Sequence, residues 1–375
     1  MTWEIPLFKM YWDDDDIASI SNTIKSGMSW AAGPDVLAFE QEIAHYIGTN
    51  YCLTFNSGTS ALHAVLMAHG IGKNDEVIVP SFTFIATANA PLFVGAKPVF
   101  ADIDDATYGL DPEDVNERIS KKTKAIMPIH YGGCPCRIRE LREIADDNNL
   151  LLIEDAAESF GAKVQDQMTG SFGESAMLSF CQNKIITTGE GGAIVTDSRD
   201  IYEKLKLIRS HGRLETADYF STTATMDYIT LGYNFRISSI TAALGRSQLR
   251  KVEKIISQRR SDSHYYVQHL QSLMQEIHIP QAPEGYFSVC QLFSILAKQR
   301  DGLMKYLADK GIMTKIYFSP VHKTQFYQKT LGYTCTLPIT EKISNNIISL
   351  PFYPGITKDE MQRVVDTIRS FYGEA

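Results

Sequence analysis

Leu150-Leu151-Leu152-Ile153-Glu154-Asp155-Ala156-Ala157-Glu158 begins as an unbroken apolar run and then turns abruptly acidic. No alternation of polar and apolar residues interrupts the run. It reads as a strand buried on both faces, the pattern of a parallel sheet covered by helices. In such sheets ligands collect at the carboxyl ends of the strands, and Asp155 falls at that end. A carboxylate there can hold a proton on a heterocyclic nitrogen, bind a metal, or simply cap the next helix. No His or further carboxylate lies nearby at ligand spacing, which speaks against a metal.

Working outward, six more β-rich runs appear at 51–56, 76–80, 97–103, 124–130, 177–180 and 192–197. Helical patterns at 60–69, 85–92, 112–120 and 137–148 separate the first five of the seven runs, and Asp111-Pro112 supplies an N-cap and N1 pair. Strands alternating with helices predict an α/β fold with a seven-stranded, mainly parallel sheet. A helix-rich stretch follows over roughly 200–275, its longest candidate being 236–267. The remainder mixes strands (287–297, 314–317) with helices (300–310, 358–372). A boundary near residue 250 divides the chain into a large domain, 1–250, and a smaller α/β C-terminal domain, 251–375, with no flexible linker between them.

The chain has 375 residues, 44% hydrophobic and 21% charged, enough for a sizeable core. A net charge of −8 and a pI near 5.6 argue against DNA or RNA as the main partner. No stretch is long and apolar enough to span a bilayer, and the first residues lack the regions of a secretory signal. The six cysteines do not form a disulfide framework, and Cys134-Pro135-Cys136 has no second Cys/His pair at metal-site spacing. The expectation is a cytoplasmic protein with reduced thiols.

Two further segments bear on what Asp155 faces. Asn56-Ser57-Gly58-Thr59-Ser60-Ala61-Leu62 follows a strand and opens a helix. Its backbone N–H groups and hydroxyls make a phosphate cradle, although such joints also occur as plain N-caps with a Gly turn. Lys184 lies between the apolar runs 177–180 and 193–195. The G-x-x-x-x-G-K-[ST] arrangement of a phosphate-binding lysine is absent. The other readings are a surface lysine and a partly buried amine suited to a Schiff base. Gly189-Glu190-Gly191-Gly192 beside it would let the backbone approach a bound ring. The three segments together suit one ligand with a phosphate, a ring nitrogen and an aldehyde, and pyridoxal 5'-phosphate carries all three.

The sequence resembles the DegT/DnrJ/EryC1/StrS sugar aminotransferases, nearly end to end. The resemblance is carried by 56–62 (N-S-G-T-S-A-L), 76–90 (E-V-I-V-P-S-F-T-F-I-A-T-A-N-A), 95–104 (G-A-K-P-V-F-A-D-I-D), 154–157 (E-D-A-A), 179–192, 232–236 (G-Y-N-F-R) and 349–351 (S-L-P). It implies the fold type I, aspartate aminotransferase-like architecture of pyridoxal-phosphate enzymes. Lys184 would then carry the coenzyme, Asp155 would face the pyridine nitrogen, and Glu158 would sit near the ring's 3-hydroxyl. Phe84 would stack on the ring, and Thr59, Ser60 and Ser179 would hold the phosphate. Asn234 would reach the phosphate of a neighbouring subunit, which implies a homodimer with shared active sites.

The resemblance also implies the chemistry: an amino group passes from L-glutamate, leaving 2-oxoglutarate, to a keto sugar linked to a nucleotide. The product is an amino sugar of the kind used in polysaccharide or glycan biosynthesis. The turn Ile186-Thr187-Thr188-Gly189-Glu190-Gly191-Gly192 is closer to enzymes acting at C-4, such as on a 4-keto-6-deoxyhexose, than to C-3 relatives. Cys181-Gln182-Asn183 departs from the His-Pro-x of many C-4 enzymes and is nearer the Gly-Asn-Lys of perosamine-type enzymes. The segments 130–133, including Tyr131, and 317–322, including Tyr317 and His322, are expected on the sugar side. Arg213 and Arg236 are candidates for a diphosphate or a carboxylate, or for pairing with a surface acid. Lysine at 184 points away from the dehydratases of the family, which carry histidine there. Sugar dehydration, a 3-keto substrate and a non-catalytic coenzyme-binding regulator are the alternatives.

Overall fold

The seven runs expected between residues 51 and 197 all form strands, and all join one sheet. They are β1 (Tyr51–Phe55), β2 (Glu76–Pro80), β3 (Lys97–Ala101), β4 (Thr123–Ile126), β5 (Leu151–Asp155), β6 (Ser175–Ser179) and β7 (Gly192–Thr196). Their spatial order in this computed structural model is β1-β7-β6-β5-β4-β2-β3. The structure describes residues 3–214, 223 and 225–373. Every neighbouring pair from β3 through β2, β4 and β5 to β6 is parallel. Only β7 is reversed, antiparallel to both β6 and β1.

That reversal follows from the connection. A parallel return needs a crossover, usually a helix, and the segment 180–191 between β6 and β7 contains none. It therefore turns back directly. Lys184 is left on a loop at the carboxyl edge of the sheet, the same edge that carries Asp155 and the turn before the helix at Gly58.

Helices cover both faces. One core cluster includes Leu53, Phe55, Leu62, Val65, Val79 and Ile153. A second includes Phe39, Ile43, Leu178, Val195 and Ile256. The expected helices form as Gly58–Ala68, Ile85–Phe93, Pro112–Arg118 and Ile138–Asp147. Two N-terminal helices, Asp14–Lys25 and Pro34–Ile47, were not anticipated. Their signals are local: a capping box at Asp13/Asp16, then Pro34 at the helix start and Gly48 at the end with φ 87°. The second of them packs so closely on Ser239–Leu249 that a Cβ at Gly245 would lie 2.4 Å from the Phe39 ring.

The single long helix expected over 236–267 is instead two, Ser239–Leu249 and Val252–His269. The break falls at Lys251 (φ −106°, ψ 1°). Its ammonium lies 2.6 Å from Asp13 and 2.8 Å from Asp16. Neither Gly nor Pro marks the place, so the sequence carried no breaker to read. The strand expected over 287–297 also divides. Tyr286–Phe287 joins a small sheet with Lys163–Val164, while Ser294–Ala297 pairs with Ile277–His278 and Ile347–Ser349. Cys290, at φ 51°, turns the chain between them. The expected strand at 314–317 makes only the isolated bridge Lys315–Ser349. The core of this second part includes Tyr266, Ile295, Leu303, Ile348 and Val365, and it takes in Ile5, which bridges Ile312. No helix among the described residues is long and apolar enough to cross a membrane.

Candidate active site

Strand alternation sends the two acids that end β5 to opposite faces. Glu154 is fully buried and accepts from the N–H groups of Gly170 (2.7 Å), Phe172 (2.7 Å) and Gly173 (2.9 Å). Its fourth contact is His130 Nε2 at 3.0 Å. Cys136 N–H donates to His130 Nδ1 at 3.1 Å, so the imidazole proton sits on Nε2 and points at Glu154. His130, expected on the sugar side, is thus part of the interior.

Asp155 faces the loop side. It is 3% exposed, and its Oδ2 accepts from Thr87 Oγ1 at 2.7 Å while Oδ1 accepts from Ala157 N–H at 3.1 Å. Thr83 Oγ1 lies 2.8 Å from Thr87 Oγ1. Since a carboxylate only accepts, the proton order is Thr83 to Thr87 to Asp155. Burial pushes the Asp155 carboxyl up. The two hydrogen bonds and the positive charge of Lys184 pull it down, and Glu158 adds an upward push.

Lys184 is not a surface lysine. Its side chain is 14% exposed, and Nζ lies 3.3 Å from Glu158 Oε1. The other oxygen of Glu158 accepts from Gly132 N–H at 2.9 Å. Asp155, Glu158 and Lys184 therefore form one buried cluster of two carboxylates and an amine.

A short distance along the same edge, Ser57 caps the helix Gly58–Ala68 and accepts from Ser60 N–H at 3.1 Å. The Ser60 hydroxyl contacts Asn56 Oδ1 at 2.6 Å and Ser57 Oγ at 3.0 Å, which knits the turn together. Helix geometry leaves the N–H groups of Gly58 and Thr59 pointing outward from the first turn. Thr59 is exposed, and a Cβ built on Gly58 would meet Ser179 Oγ at 3.5 Å. Gly192, the first residue of β7, runs directly under this turn. A Cβ there would come within 2.6 Å of Gly58 N and 2.7 Å of Ser57 O. Thr59, Ser60 and Ser179 are thus brought together at one helix N-terminus, a natural anion site. Phe84 is 59% exposed one residue after Thr83, at the start of Ile85–Phe93. Asn234 is exposed, and its carbonyl accepts from Asn56 Nδ2 of the same chain at 3.3 Å.

The profile of the DegT/DnrJ/EryC1/StrS aminotransferase family matches residues 11–369. The chain belongs to that family. It is 34% identical over 373 residues to the GDP-perosamine synthase of Vibrio cholerae, covering 98% of this chain and 99% of the relative. It is also 34% identical over 357 residues to the UDP-N-acetyl-3-dehydro-alpha-D-glucosamine 3-aminotransferase of Acidithiobacillus ferrooxidans, covering 95% and 93%. Among solved structures, DesV of S. venezuelae superposes with a TM-score of 0.90 at 30% identity, over 99% of both chains. The aspartate aminotransferase-like fold expected from the sequence is the fold of this family.

For an aminotransferase of this family, the residues expected on the substrate side fall into two groups. Tyr317 is half-buried beside the cluster. Burial and Glu158 push its phenol up, and the neighbouring Asn183 amide pulls it down. Tyr131 is 5% exposed, and its hydroxyl is tied to the Tyr317 carbonyl at 2.6 Å and to Ser294 at 3.1 Å, so it braces that segment. His322 is 1% exposed, with Nδ1 2.6 Å from Ser81 Oγ and Nε2 3.3 Å from Glu341. Both ring nitrogens are engaged, and burial lowers its pKa. It anchors 317–322 to the end of β2. Arg213 is 6% exposed, in a turn bridged to Tyr228, and Arg236 is half-buried two residues beyond Asn234.

Sequence reading missed Thr87. The pair Thr83 and Thr87, four apart across a helix start, carried a usable signal.

Proposed function

We infer that the protein is a pyridoxal-phosphate-dependent aminotransferase that moves an amino group from L-glutamate to a nucleotide-linked keto sugar. The observation that carries this is the buried cluster in which Lys184 Nζ meets Glu158 at 3.3 Å beside the buried Asp155. The donor set fits the coenzyme: an amine for the aldehyde, a carboxylate for the ring nitrogen, and a helix N-terminus with hydroxyls for the phosphate. When bound, the coenzyme supplies an aldehyde that captures amines and a ring that absorbs the electrons released at the amino donor's α-carbon.

The chain's own residues divide the remaining work. Asp155 holds a proton on the ring nitrogen, and its bonds from Thr87 and Ala157 keep it charged and aimed. Glu158 would meet the 3-hydroxyl, Phe84 would cover one ring face, and Thr59, Ser60 and Ser179 would hold the phosphate. Lys184 Nζ would hold the aldehyde and, when free, would take up and hand on the proton of the donor's α-carbon. Tyr317 and Tyr131 stand on the sugar side, with Arg213 or Arg236 as the cation for a diphosphate or carboxylate.

Exposed apolar residues at Met28, Trp30, Phe93, Ile229 and Leu231 support a homodimer, with Asn234 reaching the partner's phosphate. The turn at 186–192 favours a 4-keto substrate. The similar identity to a 3-amino-forming relative keeps both positions in the test. Work in the cytoplasm, on a sugar destined for a polysaccharide or other glycan, completes the reading. Purified protein is to be given L-glutamate and a panel of GDP-, UDP- and dTDP-linked 3-keto and 4-keto hexoses. Release of 2-oxoglutarate with one of them, abolished by Lys184→Ala, is expected. A protein that binds the coenzyme yet exchanges no amino group with glutamate would end the proposal.

A further inference from the structure

A lysine amine rides on a flexible four-carbon stem, so it can be placed no better than its root. The root of Lys184 is a loop whose own bonds gather around Phe180 and Thr187–Glu190; at the lysine itself the loop supplies only Lys184 N–H to Cys181 O at 3.0 Å. The peptide just before Lys184 is held from outside. The Asn183 carbonyl accepts from the Gln291 side-chain amide. Gln291 comes from the second part of the chain.

Gln291 is itself fixed. It is 2% exposed, and its backbone carbonyl accepts from Arg259 Nη1 at 3.2 Å. Arg259, 3% exposed, also reaches the Cys290 carbonyl at 3.4 Å. Gly133 closes the other side: a Cβ there would lie 2.7 Å from Gln291 N. The space lined by Asn183, Gln291 and Tyr317 is only about 20 Å³. The Gln291 amide therefore has little freedom to bond elsewhere.

We propose that Gln291 is a positioning residue for the reaction: by holding the Asn183 carbonyl it fixes the root of Lys184, while Glu158 holds the tip. The second part of the chain thereby sets where the reacting amine stands. The proposal rests on Lys184 being the coenzyme lysine. With its root released, Nζ would wander by an ångström or so, and misplacement on that scale costs on the order of 10²-fold in rate.

The test uses the full chain as wild type, Gln291→Leu, Gln291→Glu and Lys184→Ala. Four quantities are read: the rate at which coenzyme-free protein captures pyridoxal phosphate, trapped on the lysine with borohydride; kcat; KM; and the urea midpoint. For Gln291→Leu, capture and kcat are expected to fall about 10- to 100-fold, with each KM changing less than about threefold. Gln291→Glu keeps the shape but donates to the Asn183 carbonyl only when protonated. Its capture rate relative to wild type should therefore rise as pH falls, which a purely structural role would not produce. Should Gln291→Leu fail to fold, that pH dependence decides alone. Wild-type capture by folded Gln291→Leu, or a pH-independent ratio for Gln291→Glu, overturns the proposal and leaves the function standing. A wild-type protein that captures no coenzyme overturns both.

Discussion

Thr87→Val tests whether Asp155 is held ionised by its surroundings. Val matches Thr in shape but lacks the hydroxyl. The change removes the 2.7 Å donor to Asp155 Oδ2 and also the acceptor of the buried Thr83 hydroxyl. A buried carboxylate that loses a charge-assisted bond is worth about 1.5–3 kcal/mol, and an orphaned hydroxyl adds roughly 1 kcal/mol, so the loss near neutral pH should be about 2.5–4 kcal/mol. The two parts differ in pH dependence. Burial already raises the Asp155 carboxyl above its ordinary 3.8, and the Thr87 bond opposes that rise. A raised carboxyl binds its proton more tightly folded than unfolded, so its charge penalty is present above the folded pKa. The penalty fades as pH falls through that pKa toward 3.8. Thr87→Val raises the carboxyl further and enlarges the penalty at high pH only.

Urea midpoints of coenzyme-free wild type and Thr87→Val are to be compared near pH 8 and near pH 5, with Thr87→Ser as the variant that keeps the hydroxyl. The gap between wild type and Thr87→Val should shrink at the lower pH, and Thr87→Ser should stay close to wild type at both. An equal gap at the two pH values would mean that only packing was lost, and the account of Asp155 would fall.

Other expectations follow from the same geometry. Glu154→Gln removes the charge and turns one acceptor oxygen into an NH2 donor against converging N–H groups, and should cost about 3–5 kcal/mol in urea unfolding; a midpoint near wild type would contradict the structural role given to that acid. Gly192→Ala drives a methyl into the Gly58 and Ser57 backbone, so coenzyme affinity measured by equilibrium dialysis should weaken at least about tenfold. Asp155→Asn removes a buried charge, so its urea midpoint at neutral pH should match or exceed wild type while turnover falls by about 10²-fold or more. Stability and activity falling together in that variant would count against the assignment.

How much of this could be read before the fold was known depends on the distance over which each contact acts. The seven strands were legible because burial on both faces leaves its mark in consecutive residues, as in β5. The grouping of Lys184 with Asp155 was legible too, because strands of a parallel sheet deliver their ends to one edge. His130 and His322 were not. Each looked like a ligand-side histidine, and each is tied into the interior by residues far away, His322 to Ser81 across 241 positions. Glu154 and Asp155 make the limit sharpest. They are adjacent, chemically alike, and end the same strand. Alternation guarantees that they part company, but it does not say which one meets the amine. That choice is made by what lies against each face: Gly170, Phe172, Gly173 and His130 on one side, Thr87 and the Lys184 cluster on the other. A carboxylate whose lone pairs meet three backbone N–H groups and the His130 Nε2–H has no capacity left for a moving proton. One held by a threonine and a single N–H retains lone pairs that can face a ring nitrogen.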